Sequence, residues 1–165
     1  METSDQICKI PGEKPLGMVH IVLSHSYFIY LCAIILGLIL NIIFPVYFSS
    51  VTCDYEGLIA MTLGSYLIYW AQSTSGSMHK ETVEEKDEPN FERGPYRYSR
   101  NPTHVGLALA TLGFGLIMGS YFIVILSAVA YAVTKLIFLP KEEKILAEEY
   151  GSIYCQYQAK VRTWL

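Results

Sequence analysis

Residues 102–139 read PTHVGLALATLGFGLIMGSYFIVILSAVAYAVTKLIFL, and between Thr103 and Thr134 this stretch holds no Asp, Glu, Lys or Arg. A single helix over that interval would run about 48 Å, well beyond a hydrocarbon core of roughly 30 Å. The stretch therefore reads as two helices with a break at Gly119-Ser120. The arms of this hairpin, Pro102 to Gly119 and Tyr121 to Leu139, are each just long enough to cross a bilayer. Both ends of the hairpin then lie on the same side of the membrane.

Upstream, Tyr27 to Phe48 is an uncharged run of about 22 residues and forms a first span. Asn41 and Pro45 inside it are tolerable where they face other helices. Gly57 to Met78 makes a second span, and its polar finish, Gln72-Ser73-Thr74-Ser75, is expected to face protein or a cavity. Lys and Arg accumulate on the cytosolic side of membrane proteins. Segment 49–56 has neither and carries Asp54 and Glu56. Segment 79–100 holds Lys80, Lys86, Arg93, Arg97 and Arg100, and five more cations follow from Lys135 to Arg162. The expected fold is all-α: an integral, multi-pass membrane protein of about four spans with an interfacial C-terminal helix. Both termini are expected to be cytosolic. The chain reads as one domain, 1–165. It divides into an N-terminal cytosolic segment (1–26), two spans (27–78), a cytosolic connector (79–101), the hairpin (102–139) and a C-terminal closing segment (140–165).

Composition agrees with this reading: 52% of residues are hydrophobic and only 16% charged, with the charges gathered in Lys80–Arg100 and Lys141–Arg162. A formal charge of −3 excludes nucleic acid as a partner, because phosphate binding needs a clustered cationic surface. Cys8, Cys32, Cys53 and Cys155 have no metal-ligand spacing, so no metal is expected. Met1 to Gly17 lacks the apolar core and small-residue cleavage site of a signal peptide.

Two cytosolic segments carry chemistry. In the first, Arg93-Gly94-Pro95-Tyr96-Arg97-Tyr98-Ser99-Arg100-Asn101-Pro102-Thr103-His104-Val105-Gly106, the pair Gly94-Pro95 marks a turn. Asn101-Pro102 marks a helix start, with Asn as N-cap and Pro at the first helical position. Free N–H groups at such an N-terminus suit an anionic or polar ligand group. The arginines alone read better as a positive-inside anchor. In the second segment, Lys141 to Gly151 continued through Tyr154, Tyr157, Val161 and Arg162, the residues Leu146, Tyr150, Tyr154 and Tyr157 recur at helical spacing. They define one apolar-aromatic stripe on an interfacial helix. Glu142 and Glu143 follow a span directly. Two carboxylates at such a boundary are costly unless they meet a cation or a ligand.

These residues resemble the membrane methyltransferases related to isoprenylcysteine carboxyl methyltransferase and phospholipid methyltransferase. The pattern G-[PV]-Y-x(3,4)-R-[HN]-P-x-Y-x-G is matched at Gly94 to Gly106, apart from its second Tyr. The pattern E-E-x-x-L-x-x-x-[FY]-G-x-x-Y-x-x-Y is matched at Glu142 to Tyr157, and the likeness covers roughly Gly57 to Leu165. The ending Val161-Arg162-Thr163-Trp164-Leu165 is similar to the small bacterial members. The resemblance implies S-adenosylmethionine as cofactor, in a pocket closed by the last helices and open sideways to lipid. It implies a hydrophobic or lipidated methyl acceptor, taken from among membrane lipids or proteins by O-methylation of an isoprenylcysteine-type carboxylate or N-methylation of a phospholipid. Tyr96, Asn101, Pro102, Thr103, His104, Gly106, Glu142, Glu143, Tyr154 and Tyr157 are the implied cofactor contacts. Arg100, Glu142 and Arg162 are the candidate catalytic residues. Gly106, Ala110, Gly113, Gly115 and Gly119 are expected to serve close helix packing.

Two departures matter. The family's second Tyr is His104 here, which adds a group titrating near neutral pH. One turn before the acidic pair, where prenylcysteine enzymes hold a substrate carboxylate with arginine, this chain has Phe138. A carboxylate acceptor would need another cation, such as Lys135, Arg100 or Arg162. The alternative reading is a membrane subunit or scaffold that keeps the fold without activity.

Overall fold

The computed structural model describes residues 17–48, 51–84 and 91–163. The expectations for Met1 to Leu16, Lys86, Trp164 and Leu165 lie outside the described residues. Among the described residues the chain is helical and forms no extended sheet. Five helices follow one another: α1 (Gly17–Ile43), α2 (Val51–Glu84), α3 (Pro102–Ile117), α4 (Tyr121–Val133) and α5 (Leu139–Lys160).

The ends of these helices are written in the chain. α1 stops at Ile43, two residues short of Pro45, whose ring forbids the preceding residue a helical conformation. Phe48 N–H then donates to Gly119 O at 2.9 Å, and the Phe48 ring meets Tyr121 edge-on, centroids 4.8 Å apart. This corner pins the α1–α2 connection to the α3–α4 turn. Gly119 makes that turn at φ +58°, and a Cβ there would run into the Phe48 carbonyl oxygen. Ser120 caps α4, its hydroxyl accepting from Ile123 N–H at 3.1 Å.

α2 lies along α3, α3 packs on α4, and α1 packs on α4 with further contact to α3 and α5. α4 runs through a π-helical turn, Thr134–Phe138, into α5. The result is a helical run Tyr121–Glu148 apolar enough to cross a membrane, as is Ser26–Ile43 in α1. Many large apolar side chains point outward, among them Ile42, Leu136 and Tyr69. An unburied apolar surface of this extent fits lipid better than water.

Three expectations are corrected. Gly119 does not serve helix packing, because α3 has ended before it, whereas Gly115 does, meeting Ile123 and Val124 of α4. The Leu146–Tyr157 stripe does not lie on one straight helix, because Gly151 is non-helical at φ 55°, ψ −128° and kinks α5. Asn101 occupies the N-cap position, but its side chain makes no capping hydrogen bond. Pro102 already supplies the preorganised first residue.

Candidate active site

The connector folds onto the bundle through the short 3₁₀ turn Gly94–Arg97. Gly94 stands at φ +52°, where a Cβ would come within 2.6 Å of Thr74 Oγ1 on α2. The chain can therefore pass against α2 only with glycine here. That passage delivers Tyr96 inward, its hydroxyl hydrogen-bonded to Thr103 on α3 and Ser75 on α2. The Tyr96 carbonyl accepts a 2.7 Å bond from Tyr157 OH on α5.

His104 is 2% exposed and Glu142, in the first turn of α5, is 6% exposed. His104 Nε2 lies 3.0 Å from Ser26 Oγ on α1 and 3.4 Å from Glu142 Oε2. Both oxygens meet the same ring nitrogen. The arrangement is therefore forked at one ring nitrogen, unlike a nucleophilic triad, in which serine and carboxylate occupy opposite ring nitrogens. The proton is assigned to Nε2, the tautomer that gives the Glu142 carboxylate a donor. Tyr27, next to Ser26, accepts a 2.6 Å hydrogen bond from Gln72 Nε2 and lies within electrostatic reach of Glu142. Hydroxyl, amide, imidazole and carboxyl groups from α1, α2, the connector, α3 and α5 thus converge.

Beside them Arg100 Nη2 lies 3.2 Å from Glu143 Oε1, and its guanidinium also donates to Thr163 Oγ1. Arg100 N–H donates to Arg162 O at 3.1 Å and Ser99 Oγ to Thr163 O at 3.2 Å, which straps residues 161–163 over the connector. Arg162 enters through its backbone carbonyl, while its side chain is exposed. It therefore sits outside the candidate catalytic cluster. Gly106 is also displaced from its expected role: a Cβ there would meet Ile68 Cγ1 at 2.7 Å, so it faces α2 rather than the polar cluster. Pro102 and Thr103 are buried at the start of α3, as is Asn101, whose side-chain nitrogen has no hydrogen-bond partner among the described residues.

Tyr154 and Tyr157 form the aromatic wall, with ring centroids 5.8 Å apart, and Phe91 packs on both at 5.5 and 5.4 Å. Burial holds the phenols of Tyr96, Tyr154 and Tyr157 above the ordinary tyrosine range, and neighbouring carboxylates push the same way. A phenol with a raised folded value binds its proton more tightly in the folded chain. Its stabilisation is whole below the unfolded value of about 10 and is lost as pH rises past it. Thermal stability in detergent should accordingly hold level to about pH 9.5 and fall above about pH 10, and the double variant Tyr154→Phe/Tyr157→Phe should flatten that fall. Melting curves over the alkaline range that coincide for the two proteins would refute this role of the tyrosines.

Sequence reasoning missed Ser26, Tyr27 and Phe91. Ser26 and Tyr27 stand at the edge of an apolar run, where nothing local marks them. Phe91 carries no motif and is recognisable only through the tyrosines it touches.

Buried carboxyl and imidazole groups thus gather at one polar end of the helical bundle. The family model for phospholipid methyltransferase matches residues 53–153, more than half of the chain, and the chain belongs to this family. No curated protein and no solved structure gives a significant match. Membership of this family implies membrane methyltransferase activity.

Proposed function

We propose that the chain is an S-adenosylmethionine-dependent methyltransferase that acts on an amine-bearing lipid at the cytosolic face, crossing the membrane four times with both termini cytosolic. The observation that carries this reading is Glu142: a carboxyl 6% exposed whose polar neighbour is a His104 N–H, with no ion pair to Lys or Arg among the described residues. A carboxylate in that position is costly until a cation approaches it. The positive groups of S-adenosylmethionine fit that need. Arg100 Nε, buried and without a hydrogen-bond partner among the described residues, offers a donor for a polar group of the same ligand.

S-adenosylmethionine, when bound, supplies an electrophilic methyl carbon on a sulfonium. The chain's own part is to position and to exclude water. Glu142 offers the counter-charge, and His104 fixes that carboxylate by its forked N–H. The Phe91–Tyr154–Tyr157 wall and the 161–163 strap shield the polar cluster. In-line displacement gains chiefly from such positioning and dryness. The acceptor reads as an amine because the cluster's guanidinium, Arg100, is occupied by Glu143, and Phe138 stands where a carboxylate-binding arginine would be. Hydroxyl and carboxyl groups then suit an ammonium head that must shed a proton before attack.

The test is to reconstitute the purified full chain in nanodiscs of mixed phospholipids with methyl-labelled S-adenosylmethionine. Label should enter the lipid fraction, in amine-headed lipids. Saturable binding without label in any fraction would instead support the scaffold alternative.

A further inference from the structure

Gln72 is an exposed amide on the α2 face that looks toward α1, flanked by the exposed apolar residues Tyr69 and Trp70. Among the described residues α1 and α2 are not packed side by side: α1 lies on α4, α3 and α5, and α2 on α3. What spans the gap is the 2.6 Å hydrogen bond from Gln72 Nε2 to Tyr27 OH. Such an interhelical bond between uncharged groups stabilises by about 0.6–2 kcal/mol on its own, so its place in the fold is what points to a ligand. Its location is specific. Ser26, adjacent to Tyr27, bonds His104; Ser75, one turn beyond Gln72, bonds Tyr96; and Tyr27 lies within reach of the Glu142 charge. The pair therefore stands where the gap between α1 and α2 meets the polar cluster. Leu31 and Ile35 on α1 with Leu63 and Tyr66 on α2 are exposed and apolar, suited to acyl chains.

We infer that Tyr27 and Gln72 bind the polar head of the methyl-acceptor lipid as it enters between α1 and α2, and so set which lipids reach the site. The inference rests on the proposed methyl transfer and adds the acceptor's route and two residues that select it. An ammonium head can replace the Tyr27–Gln72 bond by donating to the phenol oxygen and the amide carbonyl, within reach of the Glu142 charge. A bulk lipid without an amine would engage the pair less well.

The experiment uses the full chain in phosphatidylglycerol nanodiscs doped with phosphatidylethanolamine carrying a diazirine beside the glycerol, against the same diazirine on phosphatidylglycerol. Photolabelling of residues 27–35 and 63–75 should favour the amine-headed probe by about fivefold, and Tyr27→Phe or Gln72→Leu should bring that ratio near one. The same variants should raise KM for phosphatidylethanolamine about tenfold, the effect of one net hydrogen bond. The loss should fall mainly on that KM, with a smaller part in turnover and in S-adenosylmethionine affinity. Equal labelling by both probes overturns the inference. So does cofactor affinity that falls in step with the acceptor KM, since that marks a structural bridge. Selective labelling without methyl transfer would refute the proposed activity alone, and transfer without selective labelling would refute this inference alone.

Discussion

Glu142→Gln should lower both S-adenosylmethionine affinity and methyl transfer by about 30- to 100-fold while the protein folds normally. Glutamine keeps the shape, and its carbonyl oxygen can still accept from His104 Nε2, which lies 3.4 Å from the native carboxylate. What it removes is the negative charge at a site 6% exposed, where water cannot substitute. A charge-assisted contact of this kind is worth about 2–3 kcal/mol, which sets the expected range. Glu143→Gln is the internal control. Glu143 faces Arg100 at 3.2 Å, so its loss should loosen the 161–163 strap and reduce transfer by less than about tenfold. Calorimetry and single-turnover transfer measure the two quantities separately. Equal effects of the two variants, or Glu142→Gln activity within about threefold of wild type, would remove Glu142 from the site.

The difference between Glu142 and Glu143 was not legible in the sequence, where they are adjacent carboxylates after one apolar stretch. Helical geometry turns neighbours about 100° apart, so one reaches into the bundle toward His104 while the other meets the connector at Arg100. The broad class was legible, because uncharged runs and a Gly-Ser break leave few options other than helices for a chain of this hydropathy. The polar residues that gather on the connector and α3 could be marked through motif spacing. On α2 the polar run Gln72 to Ser75 was marked, but its meeting with α1 was not, since Tyr27 and Gln72 are 45 positions apart and meet only in the folded bundle. The kink at Gly151 was hidden for a similar reason. A glycine within a helical repeat reads as a weak spot, and only packing of Tyr154 and Tyr157 against Phe91 gives the bend a purpose. The small-residue pattern on the third apolar stretch was marked as a packing device, and Gly106, Ala110, Gly113 and Gly115 serve as one, while Gly119 makes the turn. Which face meets which helix was not legible: Gly115 meets α4, and the closest approach is made on the face that meets α2.

That face yields the largest expected stability effect. α2 and α3 approach through Gly57 and Gly64 on one side and Gly106, Ala110 and Gly113 on the other. A Cβ on Gly64 would lie 2.5 Å from Ala110 N and 2.7 Å from Gly106 O, and one on Gly113 2.5 Å from Met61 N and 2.6 Å from Gly57 O. The obstructing atoms are backbone, so they cannot turn aside as a flexible side chain would. The helices must separate along their shared length, forfeiting dispersion contacts on both sides of the seam. Gly64→Ala is therefore expected to destabilise by about 3 kcal/mol, near the upper end for overpacking, and to lower the melting temperature in detergent by about 6–12 °C. Gly76→Ala, on the same helix with nothing within 4 Å of its Cβ, should instead be neutral or stabilise by up to about 1 kcal/mol through helix propensity. Because α3 carries Thr103 and His104 while α2 carries Gln72 and Ser75, separating them should also pull apart the hydrogen bonds from Tyr96 to Ser75 and Thr103. Methyl transfer by Gly64→Ala should thus fall further than its folded fraction explains. Equal melting temperatures for the two alanine variants would show that the seam is looser than its geometry, and the coupling of packing to the site would fall with it.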